Sequence, residues 1–67
     1  VGEVTDLPRG DLVLLGLLAE GLSPEEVAER VGLSGRTVRR RIRAVCDRLG
    51  VATPIQAVVW AVRRGVI

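Results

Sequence analysis

The chain has 67 residues, 48% of them hydrophobic but only 1% aromatic, with 27% charged and a net charge of +2. A chain this short makes one small domain that buries about 60% of its unfolded surface, which leaves no room for a substrate cleft beside a core. It has no histidine and a single cysteine, Cys46, which excludes an internal disulfide and a credible structural zinc site.

Residues 1–6 are polar and acidic rather than basic and then apolar, so they read as a linker or frayed end and not as a signal peptide. The chain has no initiating methionine, and it reads as a piece of something longer. A leucine-rich helix is expected from about Leu7 to Glu20, with Leu14, Leu15 and Leu18 as its core stripe and Leu7 upstream of it. Pro8 suits its first turn, Asp6 is the best candidate cap, and Gly21 ends it. The longest apolar runs, Leu12–Ala19 and Ile55–Val62, fall well short of the ~20 residues that a membrane span needs. No membrane partner is expected, and the cytoplasm is the default compartment.

Ser23-Pro24-Glu25-Glu26 is a capping box with proline at the first helical position. The helix it opens runs from Pro24 to Val31 with Val27, Ala28 and Val31 inward. Glu25, Glu26 and Glu29 are accounted for by the positive end of that helix, so no catalytic carboxylate pair is called for. Gly32 stops the helix, Leu33 is expected to be the one buried residue of the turn, and Ser34 caps the next helix. A short helix, a glycine-containing turn and a second helix make a helix-turn-helix. Ala28 lets the helices cross closely, Gly32 permits the reversal and Val38 closes the core.

The next helix, about residues 35–49, divides into two faces. Val38, Ile42, Val45 and Leu49 recur at helical steps on one side, and Arg36, Arg39, Arg40 and Arg43 fall on the other. Charge runs are usually solvated faces, but a helix made merely soluble would mix its signs, and here only Asp47 offers Arg43 relief. The split extends to the whole chain. Residues 1–35 carry seven acids against Arg9 and Arg30, a net −5, whereas residues 36–67 carry eight arginines against Asp47, a net +7. One face toward a polyanion explains that asymmetry. Arginine's planar fork suits both phosphate oxygens and the O6/N7 edge of guanine. Cys46 borders the core side and reads as a buried small hydrophobe rather than a redox thiol.

Leu49-Gly50 ends this helix, and Thr53-Pro54 starts a last one that runs to about Arg64, stopped by Gly65. From Ile55 to Val62 every residue but Gln56 is apolar, which covers nearly the full circumference. With Ala57, Val58, Ala61 and Val62 inward, Val59 and Trp60 point outward beside Gln56 and Arg63. Those four are the candidate dimer interface, because tryptophan is enriched at interface centres. The competing reading has Trp60 lying over the chain end against Val66 or Ile67.

The order of elements resembles the LuxR-type helix-turn-helix domain, the C-terminal DNA-binding module of NarL/FixJ response regulators and LuxR-like quorum regulators. The carriers are Leu15-x-Leu17-Leu18-Ala19-x-Gly21-Leu22-Ser23, Glu26-x-Ala28-x-x-Val31-Gly32-Leu33-Ser34, Thr37-Val38-x-x-x-Ile42, Leu49-Gly50-Val51, Gln56-Ala57-Val58 and Gly65. They span nearly the whole chain. The resemblance implies a compact four-helix domain whose third helix enters the major groove and whose fourth pairs two copies. It implies base and phosphate contacts from Arg39, Arg40 and Arg43, and a phosphate contact from Thr37. The chain departs from the family pattern at Pro8, Gly10, Asp11 and Val13, where the family usually carries Thr, Arg, Glu and Glu. Arg41 stands where histidine or asparagine is common, and from its sideways position it is expected to reach a phosphate or an acid of helix 2.

The expected architecture is therefore all-α, with residues 7–67 as one helix-turn-helix domain after a linker over 1–6. The expected function is sequence-specific binding of double-stranded DNA as the output domain of a bacterial transcriptional regulator. Ser34, Arg36, Thr37, Arg39, Arg40 and Arg43 would form the DNA surface. A homodimer paired through Gln56, Val59, Trp60 and Arg63 would occupy a pseudo-palindromic site, with RNA polymerase as a further candidate partner. Two alternatives share these features: a promoter reader like sigma region 4, which the fourth helix argues against, and a protein-interaction module whose arginine face binds an acidic partner. No enzyme activity and no cofactor are expected, because no nucleophile–base pair or metal cluster is present.

Overall fold

In a computed structural model, residues 7–67 are described. The linker expected over residues 1–6 and the capping role expected of Asp6 lie outside the described residues. Among the described residues there are four helices and no strand: α1 (Arg9–Ala19), α2 (Pro24–Val31), α3 (Gly35–Leu49) and α4 (Pro54–Arg63).

Three helices start as their sequences dictate. Ser23 Oγ accepts from the Glu26 amide at 3.2 Å while Glu26 Oε1 accepts from the Ser23 amide at 2.8 Å, closing the capping box of α2. Ser34 caps α3 through the Thr37 amide, and Thr53 caps α4 through the Gln56 amide. Helix α1 is the exception. Pro8 does not enter its first turn; with φ −58° and ψ 150° it is the N-cap, and it has no side-chain oxygen to offer. Its carbonyl alone accepts from the amides of Asp11 and Leu12, at 3.0 and 3.2 Å. The helix thus begins two residues later than expected and closes at Ala19, with Glu20 as C-cap.

The turn between α2 and α3 depends on Gly32, whose φ of +77° is a left-handed conformation that a side chain would strain. The amides of Gly32 and Leu33 both donate to the Ala28 carbonyl, at 2.9 and 3.0 Å, which folds the chain back sharply. Leu33 was expected to be buried there, but it is 38% exposed. Val27 and Val38, both fully buried, already close the interior beneath the turn, so no space is left for it.

Helix α3 touches each of the other three helices, whereas α2 and α4 do not meet. The core gathers around it: Val38, Ile42, Val45 and Cys46 of α3 join Leu7, Leu14, Leu15, Val27, Ala28, Ala57, Val58 and Ala61. Leu18, Val31 and Leu49, expected in the core, pack against its edge half-buried. Val62 was expected to face inward and is 54% exposed. Ala57 and Ala61 bring α4 close to its neighbours along a narrow seam, and Val62 lies beyond the width of that seam.

Candidate nucleic-acid interface

The hydrophobic side of α3 fixes what its other side can do. With Val38, Ile42 and Val45 inward, Arg36, Arg40 and Arg43 stand exposed on the opposite face. The first turn of α3 contains no acid, so its positive end is offset by nothing on its own helix. Ser34 and Thr37 sit at that end and are joined to each other: the Ser34 hydroxyl donates to Thr37 Oγ1 at 3.0 Å and accepts from the Thr37 amide at 3.1 Å. Ser34 is exposed and Thr37 half-buried.

Two of the α3 arginines are engaged with acids of other helices. Arg39 pairs with Glu25 of α2, both side chains more than half exposed. The pair lies over Gly35, where an added Cβ would sit 3.7 Å from a guanidinium nitrogen of Arg39 and 4.0 Å from Glu25 Cγ. In so exposed a position the pair holds weakly, and a phosphate can compete for Arg39. Arg41 was expected to reach a phosphate or an acid of α2. It reaches α1 instead, donating from Nε and Nη2 to Asp11 Oδ1 at 3.1 and 2.8 Å. The reason is steric: the side chain leaves α3 on the flank that faces α1, where Gly10 presents no side chain to block it. The relief expected from Asp47 thus comes, among the described ion pairs, from Glu25 and Asp11.

Beside the arginine face runs a groove of about 650 Å³, lined by Arg39, Arg43 and Asp47 of α3, by apolar side chains such as Leu18 and Val51, and by Pro24 at the start of α2 and Pro54 at the start of α4. Sequence reasoning missed this convergence, since it requires knowing how α2 and α4 are placed around α3. The first residues of α2 and α4 border this channel, and its two arginines share it with the carboxylate of Asp47.

On α4, Gln56, Val59, Trp60 and Arg63 do come together. With Ile55 and Arg64 they line a shallow concavity of about 560 Å³ on α4. Two members are less free than expected. The Gln56 side-chain oxygen accepts from the amides of Ala52 and Thr53, at 2.8 and 3.1 Å, and so belongs to the cap of α4. Trp60 is half-buried against the core, and the Arg64 guanidinium covers its ring at 5.0 Å from the centroid. Ile55 and Val59 remain 65% and 42% exposed beside it. Cys46 is buried as expected, and burial, reinforced by Asp47 and opposed by Arg43, pushes its thiol pKa up. No single described helix is long and apolar enough to cross a membrane.

Residues 12–52 match the family model of the homeodomain-like domain. The chain is 30% identical over 63 residues to the transcriptional regulatory protein YdfI of Bacillus subtilis, covering 94% of this chain and 30% of that protein. It is 31% identical over 64 residues to the transcriptional regulatory protein LnrK of the same organism, covering 96% and 29%. It is 40% identical over 58 residues to the DNA-binding transcriptional activator DevR/DosR of Mycobacterium tuberculosis, covering 87% and 25%. The chain therefore spans less than a third of the length of these relatives.

Proposed function

This chain belongs to the homeodomain-like family of helix-turn-helix domains, and on that premise we propose that it binds double-stranded DNA sequence-specifically as the output domain of a transcriptional regulator. The observation that carries this reading is the exposed face of α3, where Arg36, Arg40 and Arg43 stand clear of the core on the second helix of the motif. In the major groove, Arg40 and Arg43 read guanine edges, Arg36 and Arg39 hold phosphates, and Ser34 and Thr37 place the amino end of α3 against the backbone. The groove between α3 and the starts of α2 and α4 accommodates the neighbouring phosphate run.

Its likeness to YdfI, LnrK and DevR/DosR, named as transcriptional regulators, supports the regulatory role. The finer assignment, a LuxR-type domain of a response regulator acting in the cytoplasm, rests on the sequence motifs from Leu15 to Gly65. On a pseudo-palindromic site two copies pair through the exposed side of α4, with Val59 and the edge of Trp60 at the centre. Contact with RNA polymerase is a further part of the proposed role. A binding-site selection on random duplexes, followed by a salt titration, tests the reading. Enrichment of one motif, with affinity falling steeply as salt rises, is the expected result. Binding to acidic polypeptides with no selected duplex would overturn it.

A further inference from the structure

Arg41 leaves α3 on the flank that faces α1, off the forward face that carries Arg36, Arg40 and Arg43. Its Nε and Nη2 converge on one oxygen, Oδ1 of Asp11, from a position 30 residues away in the chain. The Asp11 side chain is only 14% exposed and that of Arg41 37%. To get there the guanidinium lies over Gly10, where an added Cβ would fall 2.7 Å from Nη2. Gly10 is the second residue of α1, and a side chain there would have to displace the tip of Arg41.

The buried side chains of α1 and α3 are apolar. Their burial sets which side of α3 faces inward, but it is non-directional and fixes small rolls of one helix on another less strictly than a hydrogen bond does. A hydrogen-bonded guanidinium is directional, and this one is attached off the line of Val38, Ile42 and Val45. Rolling α3 would sweep the tips of Arg40 and Arg43, which must meet base edges within hydrogen-bonding geometry. We propose that Arg41 is a positioning residue for DNA recognition: Asp11 withholds it from the phosphates, and the pair fixes the roll of α3, so that Arg41 sets sequence discrimination without touching DNA. The inference rests on the DNA-binding reading given above.

The test compares the parent chain with Arg41→Lys, Arg41→Gln and Asp11→Asn. Each is assayed well below its own melting temperature against the selected duplex and a random one, over a salt series. Lysine keeps the charge, which satisfies a phosphate, but loses the two-donor geometry that the Asp11 contact uses. The expected result is that all three variants lose about fivefold in the ratio of specific to random affinity, within the usual range for directly coupled residues. Asp11→Asn combined with Arg41→Gln should lose no more than either alone. The salt slope of Arg41→Gln should stay that of the parent, while that of Asp11→Asn should steepen as Arg41 is released to the phosphates. A slope lowered by about one in Arg41→Gln, with Arg41→Lys behaving as the parent, would make Arg41 a phosphate contact and overturn the proposal. An unchanged ratio in folded variants that merely melt earlier would reduce the pair to a stabilising contact. Should Asp11→Asn fail to fold, the Arg41→Lys and Arg41→Gln comparison decides alone. A parent chain that selects no duplex would instead defeat the DNA-binding reading itself.

Discussion

Arg40 and Arg43 are exposed on the forward face of α3, and neither takes part in a described ion pair. A guanidinium that pairs both its donors with guanine discriminates by about 1–3 kcal/mol, so Arg40→Ala and Arg43→Ala should relax specificity at separate base positions. The check is a binding-site selection with each variant. If both weaken selected and random duplexes equally, neither arginine reads a base. Glu25 stands on the same side and holds Arg39. Glu25→Gln removes a negative charge from beside the phosphates and releases Arg39, and affinity for any duplex should rise by about threefold with a steeper salt slope. Fluorescence anisotropy on random DNA would show it. Cys46 gives a separate, pH-dependent prediction. Its thiol pKa is raised in the folded state by burial, then by Asp47, above the ordinary value of 9.0. The unfolded chain therefore sheds this proton first as pH rises. The stability contribution is whole below 9.0 and is lost as pH climbs toward the folded value. Urea melts should show an alkaline decline starting near 9.0 that is missing in Cys46→Ala.

At the scale of the element, α3 has a double duty: its inner side holds the other helices together and its outer side carries the arginines. The two duties share one backbone, which is why an inner substitution should destroy both. Ile42 is 4% exposed, and Ile42→Asp would bury a carboxylate with no partner, costing several kcal/mol out of a total of about 5 in so small a domain. Circular dichroism should find the variant unfolded at room temperature, and a native-like melt would mean that the inner face has been misassigned. Helix α2 is held by its ends rather than its length, with only eight residues between the capping box and Gly32. Ser23→Ala removes the acceptor for the Glu26 amide and should cost about 1 kcal/mol, read as a lowered urea midpoint with unchanged DNA specificity.

The whole molecule is arranged with the arginine face and the α4 concavity on different elements, so the proposed pairing through α4 would leave two copies of α3 free to reach two half-sites. Trp60 is half-buried beneath Arg64, so the proposed pairing would draw more on the exposed Ile55 and Val59 than on the tryptophan. Val59→Glu places a like charge opposite itself across a two-fold axis while leaving the interior of the domain untouched. It should melt as the parent does, yet fill two half-sites without cooperativity, with affinity for a single half-site near normal. Band-shift titrations on one-site and two-site duplexes would measure this. Unchanged cooperativity in the folded variant would move the interface elsewhere.

The four helices, the caps of α2, α3 and α4 and the two faces of α3 were legible in the sequence because each rests on short-range rules. Ser23 and Glu26 are three residues apart, the steps from Val38 to Val45 repeat within one helix, and Gly32 needs no distant partner for its positive φ. The exposed arginine side of α3 followed in the same way, as the complement of its buried side. What the sequence left undecided depends on which helix lies beside which. Arg41 was a sideways arginine until the fold put Asp11 and Gly10 beside it. Those positions on α1, read one at a time, were departures from a pattern, and only together do they make a single contact. Leu33 and Val62 read as buried because they are apolar, but burial is granted by neighbours, and Val38 and the narrow alanine seam of α4 leave them no space. Local chemistry along the chain decides what each segment becomes; the packing of α1 against α3, a long-range fact, decides which arginines stay exposed for the proposed DNA contact.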